Sequence, residues 1–432
     1  MSRITTAILG VLVVGGLVVA ARSAAAAVAL PSALTQPAPA AGRPPAAPAA
    51  PNPGAVIYEI PIITVPNFDP SIEGAGMGGA SMAAFWQENP DDWANPALMG
   101  FHHGLRYGYG QTQLFADDVQ YTTHRFLIGA WGVGVAMAGK PWDSVGHLRL
   151  SYGESNATDE FGNVVGPFDS HTDTHSIAVG VSLLDLASSL AVATGHEPIA
   201  LSRRLSIAVG HSWKDFVVDL APSGTASGAL TGEGSNKDYG AIVRLTAMDH
   251  IGDGLYEPSD RSRSKLELSA AYSRLNYDED GVVEYESGST QPLPDLRQAG
   301  AAARLTVALP SSGTGWSRDW STPAIALGVA WDQSDLHSGG VTFDYATHVG
   351  GELSLFDALY LRVGHVSEDF TSVSGTTYGV GLSIKHKGIV GVRGDWASYP
   401  GPPGGIAPSD DRRDRYGITF FVDPFRVARG EL

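Results

Sequence analysis

Residues 378–396 read YGVGLSIKHKGIVGVRGDW. In the first half of this stretch, apolar side chains alternate with glycine and serine, at Tyr378, Val380, Leu382 and Ile384. Strict alternation predicts a β-strand with one apolar face, and the link His386-Lys387-Gly388 predicts a tight three-residue turn into a second strand. We expect this turn to pair Ile384 with Val390 and Leu382 with Val392, so that the two apolar faces coincide.

The same period of two recurs along the chain. In a soluble sandwich, the face opposite the core would carry Lys, Glu and Thr, but here it carries mainly Gly, Ala and Ser. Small residues suit a crowded lumen, and an apolar face suits lipid. We therefore predict an all-β fold, a transmembrane antiparallel up-and-down β-barrel of about 14 strands. The candidate strands are 101–109, 119–128, 129–138, 147–154, 174–184, 204–213, 237–247, 265–276, 300–309, 322–332, 345–356, 359–367, 376–385, 388–398 and 414–422.

The connections between candidate strands differ in length. Residues 356–358 and 386–388 form short links, whereas 155–173, 220–236, 277–299 and 399–413 are long and mostly polar. Short turns at one end of a barrel and long loops at the other are typical of outer-membrane barrels.

The composition excludes several classes of protein. The chain has 432 residues, 53 glycines, no cysteine and a formal net charge of −17. The missing cysteine excludes a disulfide scaffold and a cysteine nucleophile. The acidic balance argues against a nucleic-acid partner, because neutralising phosphates requires a basic face. Only 17% of the residues are charged, against roughly 25% in ordinary soluble domains.

Motifs of known enzymes are missing from the sequence. It contains no Gly-x-Ser-x-Gly elbow, no His-Glu-x-x-His motif and no Walker loop. We therefore predict no cofactor and no enzymatic activity. A phospholipase-like barrel hydrolase stays open as an alternative, and a Ser–His pair within hydrogen-bond reach at the outer rim would favour it.

The N-terminus has the features of a secretory signal peptide, which we assign to residues 1–27. Arg3 precedes an apolar run over residues 7–20, and small residues follow at 23–27. An uncleaved N-terminal anchor is the alternative. Residues 28–54 are rich in proline and alanine, as in extended linkers. We expect cleavage of the signal and residence in the outer membrane of a Gram-negative-type bacterium, with outer-membrane lipid as a partner.

Residues 74–99 read GAGMGGASMAAFWQENPDDWANPALM. This stretch resembles the opening of the PorV/PorQ family of outer-membrane barrels, which are related to FadL-type transporters of hydrophobic compounds. The resemblance rests on a Gly-Met-Gly-Gly stretch at Gly76, Met77, Gly78 and Gly79, and on Asn95, Pro96 and Ala97 before the first strand. The usual Gly-Leu continuation is replaced here by Leu98-Met99, and the C-terminus does not end in an aromatic residue.

The resemblance implies a barrel of about fourteen strands with an N-terminal segment folded into its lumen. We assign residues 55–100 to this hatch or plug, 101–424 to the barrel and 425–432 to a C-terminal tail. The small, glycine-rich stretch 72–88 suits a segment that threads a lumen. A surface loop before the first strand is the alternative for it. FadL-type relatives pass apolar compounds, whereas PorV-type members assist the secretion and surface attachment of other proteins.

Ionisable residues at lumen-facing positions are the candidate site residues. Arg304, Glu352, Arg362, Arg393 and Asp395 fall on the face of their strands opposite to the apolar one, and inward charges need water or partners. Either an ion network that anchors a plug or a substrate-guiding role would satisfy this pattern.

A metal-like pattern occurs at the start of one candidate strand. Asp169, His171, Asp173 and His175 alternate onto a single face, and two imidazoles with two carboxylates suit a divalent ion. The same face continues with Ile177 and Val179, which places the four residues where lipid gives way to water. We therefore predict no metal site and keep the four as weak candidates.

Two functions remain open. The first is an outer-membrane barrel that passes or binds small hydrophobic compounds. An apolar lumen behind the hatch and a lateral gap in the wall would favour this function. The second is a non-transporting component of a protein secretion or surface-attachment machine, with proteins of that machinery as partners. A sealed wall with large ordered outer loops would favour the second.

Overall fold

The computed structural model describes residues 69–88, 93–113, 120–138, 148–158, 164–219, 231–249, 263–278, 281–286, 288–308, 324–338, 341–368, 373–386, 389–401 and 412–424. The predicted signal peptide, the predicted linker, hatch residues 55–68 and the tail 425–432 lie outside these ranges. Within these ranges, no helix combines the length and the apolarity required to cross a membrane.

The described residues form seventeen β-strands in one sheet. They are β1 (Gly104–Gln113), β2 (Gln120–Ala130), β3 (Val133–Ala138), β4 (Leu148–Thr158), β5 (Val164–Ser182), β6 (Leu205–Asp219), β7 (Thr231–Asp249), β8 (Arg263–Leu275), β9 (Val282–Tyr285), β10 (Thr290–Pro292), β11 (Asp295–Ala308), β12 (Ala324–Ser338), β13 (Val341–Leu355), β14 (Leu359–Glu368), β15 (Val373–His386), β16 (Val390–Pro400) and β17 (Arg412–Val422).

The sheet closes on itself, because β1 pairs antiparallel with both β2 and β17. β3 and β4 pair with the same two neighbours, β2 and β5, so they share one position in the wall. β9 and β10 form a hairpin, and β9 pairs with residues 232–234 near the start of β7. The described wall therefore has fourteen strand positions, and the predicted antiparallel up-and-down barrel is confirmed.

Short helices occur before the barrel and at one turn. Helix α1 (Ile72–Gly76) is capped by the Ser71 side chain, and a 3₁₀ helix (Pro96–Phe101) is capped by the Asn95 side chain. Helix α2 (Leu183–Ala193) and a 3₁₀ turn (Ala200–Arg203) connect β5 to β6. The polarity alternation did not predict α2, because the apolar outward row of β5 runs directly into the helix.

The outer surface of the barrel is apolar. On β14, Leu361 and Val363 are 40% and 52% exposed. The alternate residues Arg362 and Gly364 are buried and face the lumen. The same alternation exposes Ile177 on β5 and Leu327 on β12, and similar residues on the other strands. A closed barrel with an apolar exterior satisfies every ladder hydrogen bond within lipid, so the fold is that of a transmembrane β-barrel.

Two local predictions are wrong. Ile384 pairs with Val392 rather than Val390, and Leu382 pairs with Gly394, because the ladder continues to His386, which pairs with Val390. The segment 155–173 is not a long loop, because β4 and β5 pair across most of it. The strands β7 and β11 likewise extend into the predicted loops 220–236 and 277–299. Polar residues continue these ladders beyond the apolar belt, where alternation no longer marks them.

The orientation of the strands makes a testable prediction. We expect Val363→Lys, near the middle of β14 on the outer face, to lower the free energy of unfolding in lipid by about 2–4 kcal/mol. Ser367→Lys lies on the same face at the end of the strand, where the expected cost is about 0–1 kcal/mol. Urea unfolding in vesicles measures both, and equal costs for the two variants would contradict the assigned membrane level.

The core of the molecule lies inside the barrel. We call residues 69–88 and 93–102 the inner segment. Nearly all of its described residues are buried, and each of the four hydrophobic clusters combines inner-segment residues with inward-facing wall residues. The 3₁₀ helix of the segment packs on β5, β6 and β7, and α1 packs on β15 and β16.

Candidate functional site

A row of glycines receives one half of the inner segment. Five neighbouring strands place a glycine at directly paired positions, and a side chain at any of them would come closer than 3 Å to the backbone or the Asn95 side chain of the segment. The row therefore lets the segment lie directly on the wall. Its members are Gly129, Gly134, Gly180, Gly210 and Gly240. Sequence reasoning noted only a small-residue face and missed the row, although its signal is a glycine at the inward parity of consecutive strands.

The other half of the inner segment meets the wall at the glycine motif. Gly76 lies against Gly379, and Met77 lies against Gly350 and Gly364 on β13 and β14. Gly78 and Gly79 have φ of 74° and 90°, a backbone conformation that favours glycine. The second predicted motif, Asn95, Pro96 and Ala97, begins the 3₁₀ helix that lies on the glycine row, and the Asn95 side chain also accepts a hydrogen bond from the amide of Ala97.

Four of the five predicted lumen charges are brought together in one buried network. Arg362 donates to Glu352 at 2.7 Å and to Asp395 at 2.8 Å. Arg393 lies 3.0 Å from Asp395, and its guanidinium stacks on the Tyr360 ring at 3.9 Å. All of these ionic side chains are at most 3% exposed. Since an unpaired charge buried this deeply costs several kcal/mol, the network holds its members together.

The inner segment contributes two carboxylates to this network, and sequence reasoning missed both. Glu73 of α1 lies 3.2 Å from Arg393 and 3.9 Å from Arg362. Glu88 pairs with Lys385 at 2.5 Å and lies 3.8 Å from Arg393. The network therefore connects the segment to three wall strands, β14, β15 and β16.

The two inner-segment carboxylates differ in pKa. Burial alone would raise the pKa of Glu88, but Lys385, Arg393 and Arg106 outweigh it and bring the pKa to about 2. Burial raises the pKa of Glu73 to about 8, against the opposing effect of Arg393. Glu88 therefore stays ionised at neutral pH, so its ion pair with Lys385 persists there.

Arg304, the fifth predicted lumen charge, forms no ion pair within 4.0 Å among the described residues, although its charge acts on Glu352 of the network over a longer distance. Its guanidinium is 5.8 Å from the centre of the Trp86 ring, on the inner segment. It faces the lumen from β11 and is half-buried.

A second ionic contact fixes the middle of the inner segment. Lys214 and Asp238 are fully buried and lie 2.6 Å apart, and the Lys214 ammonium is 3.5 Å from the centre of the Trp93 ring. Ser212 donates to the same carboxylate at 2.7 Å, and the amide of Asn276 donates to its other oxygen. No sequence motif marked these residues, because they come together only when β6, β7 and the segment meet.

Polar side chains of the wall also hold the backbone of the inner segment. In each case one hydrogen bond joins a wall side chain to the backbone of the segment, and these bonds are spaced along the whole segment. The pairs are Arg415 to the carbonyl of Asp69, Thr377 to the carbonyl of Gly76, the amide of Met82 to Asp332, Ser269 to the carbonyl of Ala83 and Ser273 to the carbonyl of Ala94.

Apart from the Lys214–Asp238 pair, the lumen beside Trp93 is apolar. Seven inward-facing wall residues pack with this indole, all of them at most 4% exposed. A water-filled pore would carry polar groups here, so this part of the lumen suits apolar solutes. The residues are Tyr121, Ala138, Leu148, Leu150, Leu275, Leu296 and Leu336.

Two residues of this apolar cluster border an interruption in the wall. β3 ends at Ala138 and β4 begins at Leu148, yet on β2 these two residues pair with Arg125 and Thr123, which are separated only by His124. On β5 they pair with Ser176 and Thr174. The described ladders thus skip one residue of β2 and one residue of β5 at this level, beside the apolar lumen.

The predicted weak metal candidates lie on β5 at the outer surface. Asp173 forms two hydrogen bonds of 2.7 Å with Arg149, and His171 lies 3.7 Å from the same carboxylate. The side chain of Asp169 lies outside the described residues. Within the part of the chain that the structure describes, no three His, Asp or Glu side chains are grouped to hold a metal ion.

Comparisons with known proteins give weak likenesses. No protein-family model and no curated protein matches the chain. The Pseudomonas putida toluene transporter TodX is 11% identical over 80% of this chain and 95% of its own, with a TM-score of 0.34. The Ralstonia pickettii toluene transporter TbuX is 11% identical over 83% of this chain and 99% of its own, with a TM-score of 0.33. The monoaromatic hydrocarbon channel CymD is 11% identical over 82% of this chain and 97% of its own, with a TM-score of 0.38. Likenesses at this level carry no argument about family or function, so the resemblance to PorV/PorQ remains a prediction.

Proposed function

We propose that this chain is an outer-membrane barrel that passes or binds small hydrophobic compounds, with residues 55–100 acting as a hatch in its lumen. The observation that carries the proposal is the apolar lumen cluster around Trp93, which includes Ala138 at the end of β3 and Leu148 at the start of β4. In this proposal, a hydrophobic compound moves from the apolar lumen to lipid where β3 gives way to β4, a route that a polar solute would not take. The proposal includes export by a cleaved signal peptide over residues 1–27, and it assigns no catalytic residue.

A reversible tether between the hatch and the wall tests this function. Ser269 Oγ lies 2.7 Å from the carbonyl oxygen of Ala83, so Ala83→Cys with Ser269→Cys places two thiols close together in a chain that has no other cysteine. We expect the oxidised variant to slow uptake of the hydrophobic dye N-phenyl-1-naphthylamine into cells at least about fivefold, and reduction to restore it, because hatch movement is then blocked or freed.

A matched disulfide within the wall serves as the control. Leu361 and Val380 are paired on β14 and β15 and both face outward, so a disulfide between cysteines at these positions leaves the inner segment untethered. Its oxidation is expected to leave uptake unchanged. Equal uptake by the oxidised and reduced hatch variants, or uptake no faster than in cells without the protein, would refute the proposed passage.

A further inference from the structure

Two arginines face the lumen without a carboxylate partner. Arg244 on β7 and Arg304 on β11 are both half-buried. Within the described residues, neither has a carboxylate oxygen within 4.0 Å, whereas Arg362, Lys385 and Lys214 each have one within 3.0 Å. Both arginines lie in the later part of strands that run toward the end of the barrel where β1 begins.

Aromatic rings of the inner segment connect the two guanidiniums. Arg244 lies 4.6 Å from the centre of the Phe101 ring and 5.4 Å from that of Phe85. Phe85 meets Trp86 edge to face at 5.2 Å, and Arg304 lies over Trp86. The surface between the two cations is therefore an unbroken set of rings, which is apolar and presents aromatic faces and edges.

Trp86 also has a donor without an acceptor. Its indole is 7% exposed, and its edge packs over Gly328. Its Nε1 is buried and has no hydrogen-bond partner within the described residues. A buried donor left unsatisfied costs about 1–3 kcal/mol.

The nearest acidic groups on neighbouring strands are already paired. Glu267 is directly opposite Arg304 on β8, but its carboxylate holds Lys265 at 2.8 Å. Glu352 on β13 accepts a hydrogen bond of 2.7 Å from Arg362. The guanidinium of Arg304 thus lies 5.8 Å from the centre of a ring whose N–H has no acceptor among the described residues, and no carboxylate of those residues lies within 4.0 Å of the guanidinium itself.

We propose that Arg304 and Trp86 bind the carboxylate of an aromatic monocarboxylate, whose ring packs on Phe85 and Phe101 while Arg244 adds a second positive charge. An anionic acceptor would satisfy both donors, and a charge-assisted hydrogen bond to a guanidinium is among the stronger ones. The flat rings match an aromatic body better than a flexible chain. The site gives a substrate class to the proposed function and rests on it for its role in passage, but the binding itself is measured independently of uptake.

Calorimetric titration of the detergent-solubilised full chain tests the site, with benzoate as the probe and neutral benzamide as its matched analogue. We expect saturable binding of benzoate, no detectable binding of benzamide at the same concentrations, and weakening of benzoate binding by salt. Arg304→Gln is expected to weaken benzoate binding at least about tenfold. Trp86→Phe keeps a ring but loses the N–H, and it is expected to weaken binding about threefold or more.

Arg412→Gln is the control, because Arg412 is an exposed arginine on β17 that packs on Tyr378, away from the inner segment. It is expected to bind benzoate as the unmodified chain does. Heat-modifiable gel migration shows that each variant is folded. Equal binding of benzoate and benzamide, or unchanged binding by folded Arg304→Gln, would overturn the site. If benzoate binds but the oxidised and reduced hatch variants take up the dye equally, the site stands and the proposed passage is rejected. If oxidation slows dye uptake but benzoate does not bind, the site alone is rejected.

Discussion

Replacing Gly350 with valine is expected to unseat the inner segment, whereas replacing the adjacent Gly351 is expected to change little. A side chain at Gly350 would come closer than 3 Å to Met77, which the segment places directly on the wall. A side chain at Gly351 points to the other face of β13 and meets its nearest neighbour at 3.5 Å, an ordinary contact. Forcing extra atoms into a packed interior costs about 1–3 kcal/mol.

The pair of variants separates the seating of the segment from any general effect on the strand. In planar bilayers, Gly350→Val is expected to raise the conductance of the barrel, and in urea it is expected to lower the free energy of unfolding by about 1–3 kcal/mol. Gly351→Val is expected to match the unmodified chain in both measurements. Identical behaviour of the two variants would show that the close approach of Met77 to Gly350 does not hold the segment.

Replacing Arg393 with methionine is expected to be the most destabilising single change in the lumen. Its guanidinium lies within 4 Å of Glu73, Glu352 and Asp395, and its side chain is 1% exposed. Removing one partner of a buried ion network leaves the other charges uncompensated, at a cost of about 3–5 kcal/mol. Urea unfolding in lipid vesicles measures this loss.

A double variant distinguishes loss of charge balance from loss of packing. At pH 9, above the pKa of Glu73 at about 8, Glu73 is a carboxylate that faces Arg393. At that pH the combination of Arg393→Met with Glu73→Gln is expected to recover about 1–2 kcal/mol relative to Arg393→Met alone. An additive loss in the double variant would contradict the coupling that the 3.2 Å separation of the two side chains predicts.

The polarity pattern predicted the faces of the strands better than their pairing. On β14 and β15, alternation placed Leu361 and Leu382 outward, as observed, because the period of two is fixed by the backbone itself. It could not choose between Val390 and Val392 as the partner of Ile384, because both choices keep the same face outward. Registers that differ by two residues satisfy the same pattern, so the turn has to decide between them.

The candidate site was only half predictable for a similar reason. Inward parity marked Glu352, Arg362, Arg393 and Asp395, since a charge on the lumen side of an apolar strand is conspicuous. Their partners Glu73 and Glu88 precede the barrel in a segment without period, so nothing in the sequence indicated which wall strands they would meet. Trp93, Lys214 and Asp238 were missed likewise, because their contact exists only after the segment is seated.

The interruption between Ala138 and Leu148 makes the wall tolerant of length change at one level. Since the ladders on either side skip a single residue on β2 and on β5, residues can be added or removed there without shifting any other pair of strands. An epitope tag inserted between Ala138 and Leu148 is expected to leave the fourteen-position register intact, which offers a handle for reporting on the chain in living cells.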